Sequence, residues 1–194
     1  MTIKLAFMRH GHTSWNRAHK IQGRTDIPLD MQAKTDLAAL RLPEPFAQYD
    51  IWSSPLSRAR ETAELISDTT PLMADALMEM DWGDWEGKHG VDLIADPNSG
   101  YRDLENWGWK YTPPNGESPK ALYNRLLPWL SSRERDAVVI AHIGTMRVAL
   151  AHAYDWNFLG PCPFTIKRNR LFVIEGSGTD WTAWSEPVRL EKRI

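Results

Sequence analysis

The stretch Met8-Arg9-His10-Gly11-His12-Thr13-Ser14-Trp15-Asn16 follows directly on Ile3-Lys4-Leu5-Ala6-Phe7. The first run is apolar apart from Lys4 and is closed by Gly11, a pattern that predicts a buried parallel strand over Ile3 to Met8. A strand needs none of Arg9, His10 and Gly11. A site that holds an anion beside a nucleophile needs all three.

Outward from this stretch, strand and helix signals alternate. Asp30 is a helix N-cap candidate, with Ala33, Leu37 and Leu40 on one face of a helix over Gln32 to Leu40. Tyr49 to Trp52 is a short strand. Ser53-Ser54-Pro55-Leu56 then starts a helix, with Ser54 as cap, Pro55 at the first helical position, and Ala59, Ala63 and Ile66 on one face. Ser118 caps a helix over Pro119 to Leu130, which carries Leu122, Leu126 and Leu130. Ala137 to Ala141 is the clearest strand, followed by a helix over Met146 to Tyr154. Leu171 to Ile174 is read as the last strand. Such alternation predicts an α/β fold with a mostly parallel sheet. Residues 88–117, rich in Asp, Pro, Asn, Gly and Trp, break the rhythm and read as an insertion.

The chain has 194 residues, within the range of one domain spanning 1–194. A net charge of −2 gives no sign of a nucleic-acid or membrane-surface partner. The one cysteine, Cys162, excludes an internal disulfide framework and suits a reducing compartment. No window approaches the roughly 18 apolar residues of a spanning helix, and the N-terminus has no signal-peptide pattern. A cytoplasmic protein is therefore expected; its oligomeric state is left open. No HExxH motif, Cys/His cluster or glycine-rich phosphate cradle occurs, so neither metal nor cofactor is expected.

In open α/β sheets, ligands gather at the carboxyl ends of strands. Arg9-His10, Ser53-Ser54 and His142 each follow a predicted strand, so they can meet in space, joined by Arg58 from Ser53-Ser54-Pro55-Leu56-Ser57-Arg58-Ala59-Arg60. Arg60 reads as surface. In this order the motifs resemble the histidine phosphatase superfamily, also called the phosphoglycerate-mutase-like family. The likeness continues through Ile21–Asp30, Ser53–Ala63, Leu77–Gly87, Pro114–Leu122 and Val138–Leu150, most of the chain. It implies a three-layer α/β/α sandwich.

The resemblance makes His10 the nucleophile that becomes a phosphohistidine. Adjacent cations such as Arg9 keep an imidazole neutral and able to attack. By the same resemblance Arg9, Arg58 and His142 complete the phosphate pocket, where forked donors hold the phosphoryl charge. Glu79 maps to the acid that protonates the leaving oxygen and then activates water, for which its pKa must be raised. Glu86, the rival carboxylate, reads as structural.

Asn16 falls where the family places an amide on the phosphate. Gln22 and Gly23 match a substrate-facing turn, though a plain turn is an equal reading. Thr13 is read as a cap, and His12 as a local modifier. His19, His89 and His152 read as ordinary surface or core residues. One departure from the family is Ile143, where a glycine usually follows the second histidine; a β-branched residue would be strained there if the position required φ > 0. Trp82, Trp85, Trp107 and Trp109 are expected to pack the insertion against the body, with a stacking surface for a nucleoside-like leaving group as the sharper alternative.

Three functions follow: a phosphomonoesterase acting on a small phosphorylated metabolite, a mutase that returns the phosphoryl group to a product, and a non-catalytic binding module on the same fold. The first is favoured because nucleophile, arginines and acid are all present. Against the mutase, Asp81 and Asp84 are expected to repel a second anionic group, although Arg102 and Lys110 leave some anion contact open.

Overall fold

Alternate residues of the first strand face opposite ways, and in this protein both faces are covered. The computed structural model describes residues 2–193. Its strands are β1 (Ile3–Arg9), β2 (Leu40–Arg41), β3 (Asp50–Ser53), β4 (Leu72–Met73), β5 (Ala137–Ala141), β6 (Arg170–Ser177), β7 (Asp180–Ala183), β8 (Val188–Arg189) and β9 (Glu191–Lys192). Its helices are α1 (Ser14–Arg17), α2 (Met31–Ala38), α3 (Ser57–Ser67), α4 (Gly90–Ala95), α5 (Pro119–Ser131) and α6 (Ile143–Ala153). Leu5, Phe7, Ala137, Val139 and Ala141 pack with Leu122, Leu126 and Leu130 of α5 and Met146 and Leu150 of α6. Ala6, Met8, Val138 and Ile140 pack on the other face with Ala33 and Leu37 of α2 and Ala59, Ala63 and Ile66 of α3. Two apolar faces and two helical layers make the expected α/β/α sandwich.

The sheet runs β4-β3-β5-β1-β6-β7, with β8 pairing β6. Its strands β4, β3, β5 and β1, from one edge to the centre, are parallel. The strands from β6 onward pair antiparallel. Register then does the work of assembly. Arg9 stands opposite Ala141, and Ser53 opposite Ile140, so His10, Ser54 and His142 leave the sheet at one edge. The His10 N–H still bonds the Ala141 carbonyl at 3.1 Å, and the Ser54 N–H the Ile140 carbonyl at 3.0 Å.

Three local readings are corrected. Ser54 does not cap α3: its hydroxyl is engaged by His142 at 2.8 Å, and the helix begins after Leu56. Asp26 takes over the cap from a separate loop, accepting from the Ser57 N–H at 2.9 Å and its hydroxyl at 2.7 Å. Leu40 leaves the α2 face and pairs with Lys192 in β2-β9. Leu171 to Ile174 lies within β6, which is followed by three further strands. By contrast, Asp30 caps α2 through the Ala33 N–H at 2.7 Å, and Ser118 caps α5 through the Ala121 N–H at 3.1 Å.

Candidate active site

The site grows from the end of β1. The imidazole of His10 is buried, 3% exposed, with Nδ1 at 2.6 Å from the Gly11 carbonyl. A carbonyl can only accept, so Nδ1 carries the proton and Nε2 keeps its lone pair. Burial first, then His142, Arg58, Arg168 and Arg9, hold the His10 pKa well below that of an ordinary histidine. The ring is thus a neutral nucleophile with a defined tautomer.

Beneath it lies His142, its centroid 5.1 Å from that of His10. Arg58 donates from Nε to His142 Nδ1 at 3.3 Å, so the His142 Nε2–H points to Ser54 Oγ at 2.8 Å. The remaining arms of Arg58 reach the Thr25 carbonyl at 3.0 Å and the Gly23 carbonyl at 2.6 Å. Both Arg58 and His142 are fully buried. They form the floor under His10.

Glu79 is 2% exposed and sits against the start of α6. Its Oε1 accepts from Met80 N–H at 2.7 Å and Thr145 N–H at 3.2 Å. Its Oε2 accepts only from Gly144 N–H, at 3.1 Å, so Oε2 is the oxygen free to carry a mobile proton. Burial pushes the carboxyl pKa up, and the backbone donors and Arg58 and Arg9 only partly oppose it. A Cβ on Gly144 would stand 2.3 Å from Oε1, so glycine at 144 is what lets the carboxylate approach. Ile143, before it, opens the helix and is not among the residues with positive φ. The β-branched residue is therefore unstrained. Arg125 holds the segment from behind, donating to the carbonyls of Ala76 at 2.7 Å, Met78 at 2.8 Å and Glu79 at 3.0 Å.

His10 and Glu79 border a cleft of about 310 Å³, lined also by Arg9, Asn16, Gln22, Lys20, Trp82, Trp107, Arg147 and the Asp103 carboxylate, whereas Arg58 and His142, expected in the phosphate pocket, lie beneath His10 and off the cleft lining. The Nε of Arg9 and the Nε2 of Gln22 are buried without a partner, as donors awaiting an anion would be. Burial, assisted by Arg147 and Arg58 and opposed by Glu79, brings the Arg9 pKa down to about 10. Gly23 is buried and does not line the cleft: its carbonyl serves Arg58, and a Cβ there would stand inside the Glu86 carboxylate, 1.9 Å from Oε1. Glu86 is structural, accepting from Arg24 N–H at 2.7 Å and Thr25 N–H at 2.9 Å. Thr13 caps α1 and donates to Gln22 Oε1 at 2.8 Å.

Arg168 is a site residue that no sequence motif announced. It donates to the carbonyls of His10 and Gly11 and, at 2.9 Å, to Asn16 Oδ1. That orients the Asn16 amide so that Nδ2 donates to Gln22 Oε1 at 3.2 Å, which leaves the Gln22 amide nitrogen as the buried, unpaired donor. Arg147 was missed too, although it lies five residues after His142 on the same helix.

The tryptophans pack. Trp82, Trp85 and Trp107 are at most 7% exposed, and Trp107 stacks with Tyr111 at 5.2 Å and Phe158 at 6.2 Å. Asp81 and Asp84 do not line the cleft. Asp81 accepts from Gly83 N–H at 2.9 Å and Asp84 from Asn115 at 3.0 Å, so the repulsion expected of these two is withdrawn; the carboxylate that does line the cleft, besides Glu79, is Asp103. Among the described residues, no three His, Cys, Asp or Glu side chains are grouped to hold a metal ion. No helix among them is long and apolar enough to cross a membrane.

The chain is 29% identical over 184 residues to the 2,3-bisphosphoglycerate-dependent phosphoglycerate mutase of Gloeothece citriformis, covering 75% of this chain and 78% of that one. It is 30% identical over 175 residues to the adenosylcobalamin/alpha-ribazole phosphatase of Salmonella typhimurium, covering 80% and 85%. Matches to several enterobacterial proteins named as probable phosphoglycerate mutases span only 60–62% of those chains. The crystal structure of phosphoglycerate mutase from Thermus thermophilus superposes with a TM-score of 0.72 at 28% identity, over 97% of this chain and all of that one. The model of the histidine phosphatase superfamily (branch 1) matches residues 5–185, most of the sheet and every residue that lines the cleft, and the chain belongs to that superfamily.

Proposed function

We propose that this protein is a phosphomonoesterase that hydrolyses a small phosphorylated metabolite through a phosphohistidine on His10. The observation that carries the reading is the bond from His10 Nδ1 to the Gly11 carbonyl at 2.6 Å, which leaves Nε2 unprotonated in a cleft shared with Glu79. Nε2 attacks phosphorus as the ester P–O bond breaks, and the Glu79 proton passes to the departing oxygen. The Glu79 carboxylate then takes a proton from water, whose oxygen attacks phosphorus and frees neutral His10. Arg9 and the Gln22 amide face the phosphoryl oxygens in both steps, with Arg58 beneath. No step calls on a metal ion.

Rapid-quench labelling in the presence of a chelator tests this. An acid-labile, base-stable phosphoryl adduct is expected in the wild type and absent in His10→Ala, with inorganic phosphate as the product. Turnover by His10→Ala at the wild-type rate would sink the mechanism. A mutase is the second reading, favoured by Arg102 and Arg147 at the cleft. It predicts isomer exchange of 3-phosphoglycerate, primed with a trace of the 2,3-bisphosphate, much faster than phosphate release.

A further inference from the structure

The tautomer of His10 rests on one carbonyl, that of Gly11, so whatever fixes this carbonyl also fixes which ring nitrogen can attack. Residue 11 has to be small, because a Cβ there would stand 2.7 Å from Leu37 Cδ1 and 3.0 Å from Leu29 Cδ2. A glycine tolerates a wide range of backbone angles, so its conformation here must be imposed by bonds from outside. Arg168 supplies them on the carbonyl side. On the amide side, among the described residues, one group does so: the Gly11 N–H donates to Thr62 Oγ1 at 2.9 Å, from 51 residues away in the chain. Thr62 is fully buried on α3. Its single hydroxyl proton goes to the Arg58 carbonyl, one turn earlier, at 2.6 Å, which leaves the oxygen lone pairs to face Gly11. Donating that proton also makes the oxygen a better acceptor. The nucleophile is thereby tied, through Gly11 and Thr62, to the backbone of the residue whose guanidinium holds His142.

We infer that Thr62 is a positioning residue for the nucleophile: by holding the Gly11 amide it keeps the Gly11 carbonyl on His10 Nδ1, and so keeps Nε2 free to attack phosphorus. This rests on the phosphomonoesterase reading of His10. Without the hydroxyl, the Gly11 N–H becomes a buried donor with no partner, a costly arrangement that the glycine relieves by turning about its own backbone bonds. The carbonyl then leaves its place beside Nδ1, and the proton is free to settle on Nε2, where it blocks attack. A threonine that served only to satisfy a buried N–H would affect stability and leave the tautomer of His10 alone.

Thr62→Val, which keeps the shape of the side chain and removes the hydroxyl, tests the inference with two readouts. Nitrogen-15 spectra of the free enzyme should show His10 as the Nδ1–H tautomer in the wild type and as a mixture with Nε2–H in Thr62→Val. Single-turnover phosphorylation of His10 by p-nitrophenyl phosphate, whose leaving group makes little demand on Glu79, should slow about 10- to 100-fold, the cost of a misplaced reacting group. Thr62→Ser restores the hydroxyl and should return both readouts to near the wild type. If Thr62→Val does not fold, Thr62→Cys, with a weakly accepting sulfur, should show the same two changes in smaller measure. A wild-type tautomer in the Val variant, or in the Cys variant standing in for it, overturns the inference whatever happens to the rate. So does a shifted tautomer with an unchanged rate, an equal loss in Thr62→Ser, or a wild-type His10 that is not Nδ1–H. If wild-type His10 is never phosphorylated but its tautomer still shifts in Thr62→Val, the esterase reading fails and the positioning of the imidazole stands.

Discussion

At the scale of single residues, protonation states are set by who donates to whom. Glu79 receives two N–H groups on one oxygen and one on the other, inside a wall that burial makes hostile to its charge. Its acid form must be present for leaving-group protonation, so kcat should fall as pH rises through the raised Glu79 pKa. Glu79→Gln should slow turnover of alkyl phosphates by about 10²–10⁴-fold and abolish that limb. With p-nitrophenyl phosphate, whose oxygen needs little protonation, the loss should shrink; an equal loss for both esters in steady-state assays argues against Glu79 as the acid. Arg168 acts one step back, through the Gly11 carbonyl that also holds His10 and through the Asn16 amide. Arg168→Gln should lower kcat roughly 10- to 100-fold, the cost of a slightly misplaced reacting group, with Arg168→Lys recovering part. Nitrogen-15 spectra of His10 should show the Nδ1–H tautomer weakened in Arg168→Gln. An unchanged tautomer with reduced activity would leave Arg168 a merely structural role.

At the scale of elements, caps supplied from afar decide where helices begin. The start of α3 borrows Asp26, and that of α6 is met by Glu79 at the Gly144 and Thr145 N–H groups. Asp26→Ala should therefore cost about 1 kcal/mol of stability, the usual value of a lost cap, read as a lower urea midpoint at unchanged slope. No change in the midpoint would mean that water replaces Asp26 without loss. The same borrowing explains which helix ends were legible. Asp30 and Ser118 cap their own helices and could be read in sequence. Ser54 looks equally like a cap but is drawn away by His142, an interaction 88 residues distant along the chain. Helix α6 was read from Met146 because nothing local shows that Ile143-Gly144-Thr145 will be held by a carboxylate from another loop.

At the scale of the whole molecule, folding buries two imidazoles that the unfolded chain would leave in water. His10 and His142 both titrate well below the ordinary 6.5 once folded. Below that pH the unfolded state binds more protons than the folded one, so the stability is full above about pH 6.5 and is lost as pH falls toward the folded values. Each histidine contributes a slope of at most about 1.4 kcal/mol per pH unit in that window. Urea denaturation at pH 7.5, 6.5 and 5.5 should show this decline, and His10→Gln should make it shallower. Stability that is flat from pH 7.5 to 5.5 would contradict the buried, neutral imidazoles.

Local pattern was enough for the strands and helices that carry their own signal. Ala137 to Ala141, apolar throughout and buried on both faces, could only be a central strand, and Arg9-His10-Gly11 at the end of another announced the nucleophile. Strand ends and motif order brought Arg58, Glu79 and His142 into the same reading. Tertiary structure alone decided the rest. It set Arg58 and His142 as a sealed floor, turned Gly23 from the cleft to the Glu86 carboxylate, and moved Asp81 and Asp84 off the cleft lining. It also paired β9 with β2 across some 150 residues, brought Arg147 to the nucleophile's cleft and set Arg168 on the carbonyls of His10 and Gly11. The physical reason is one of range. Periodicity and caps act over a few residues, whereas an arginine's partner, or its lack of one, depends on which carbonyls and carboxylates the packed layers deliver to it.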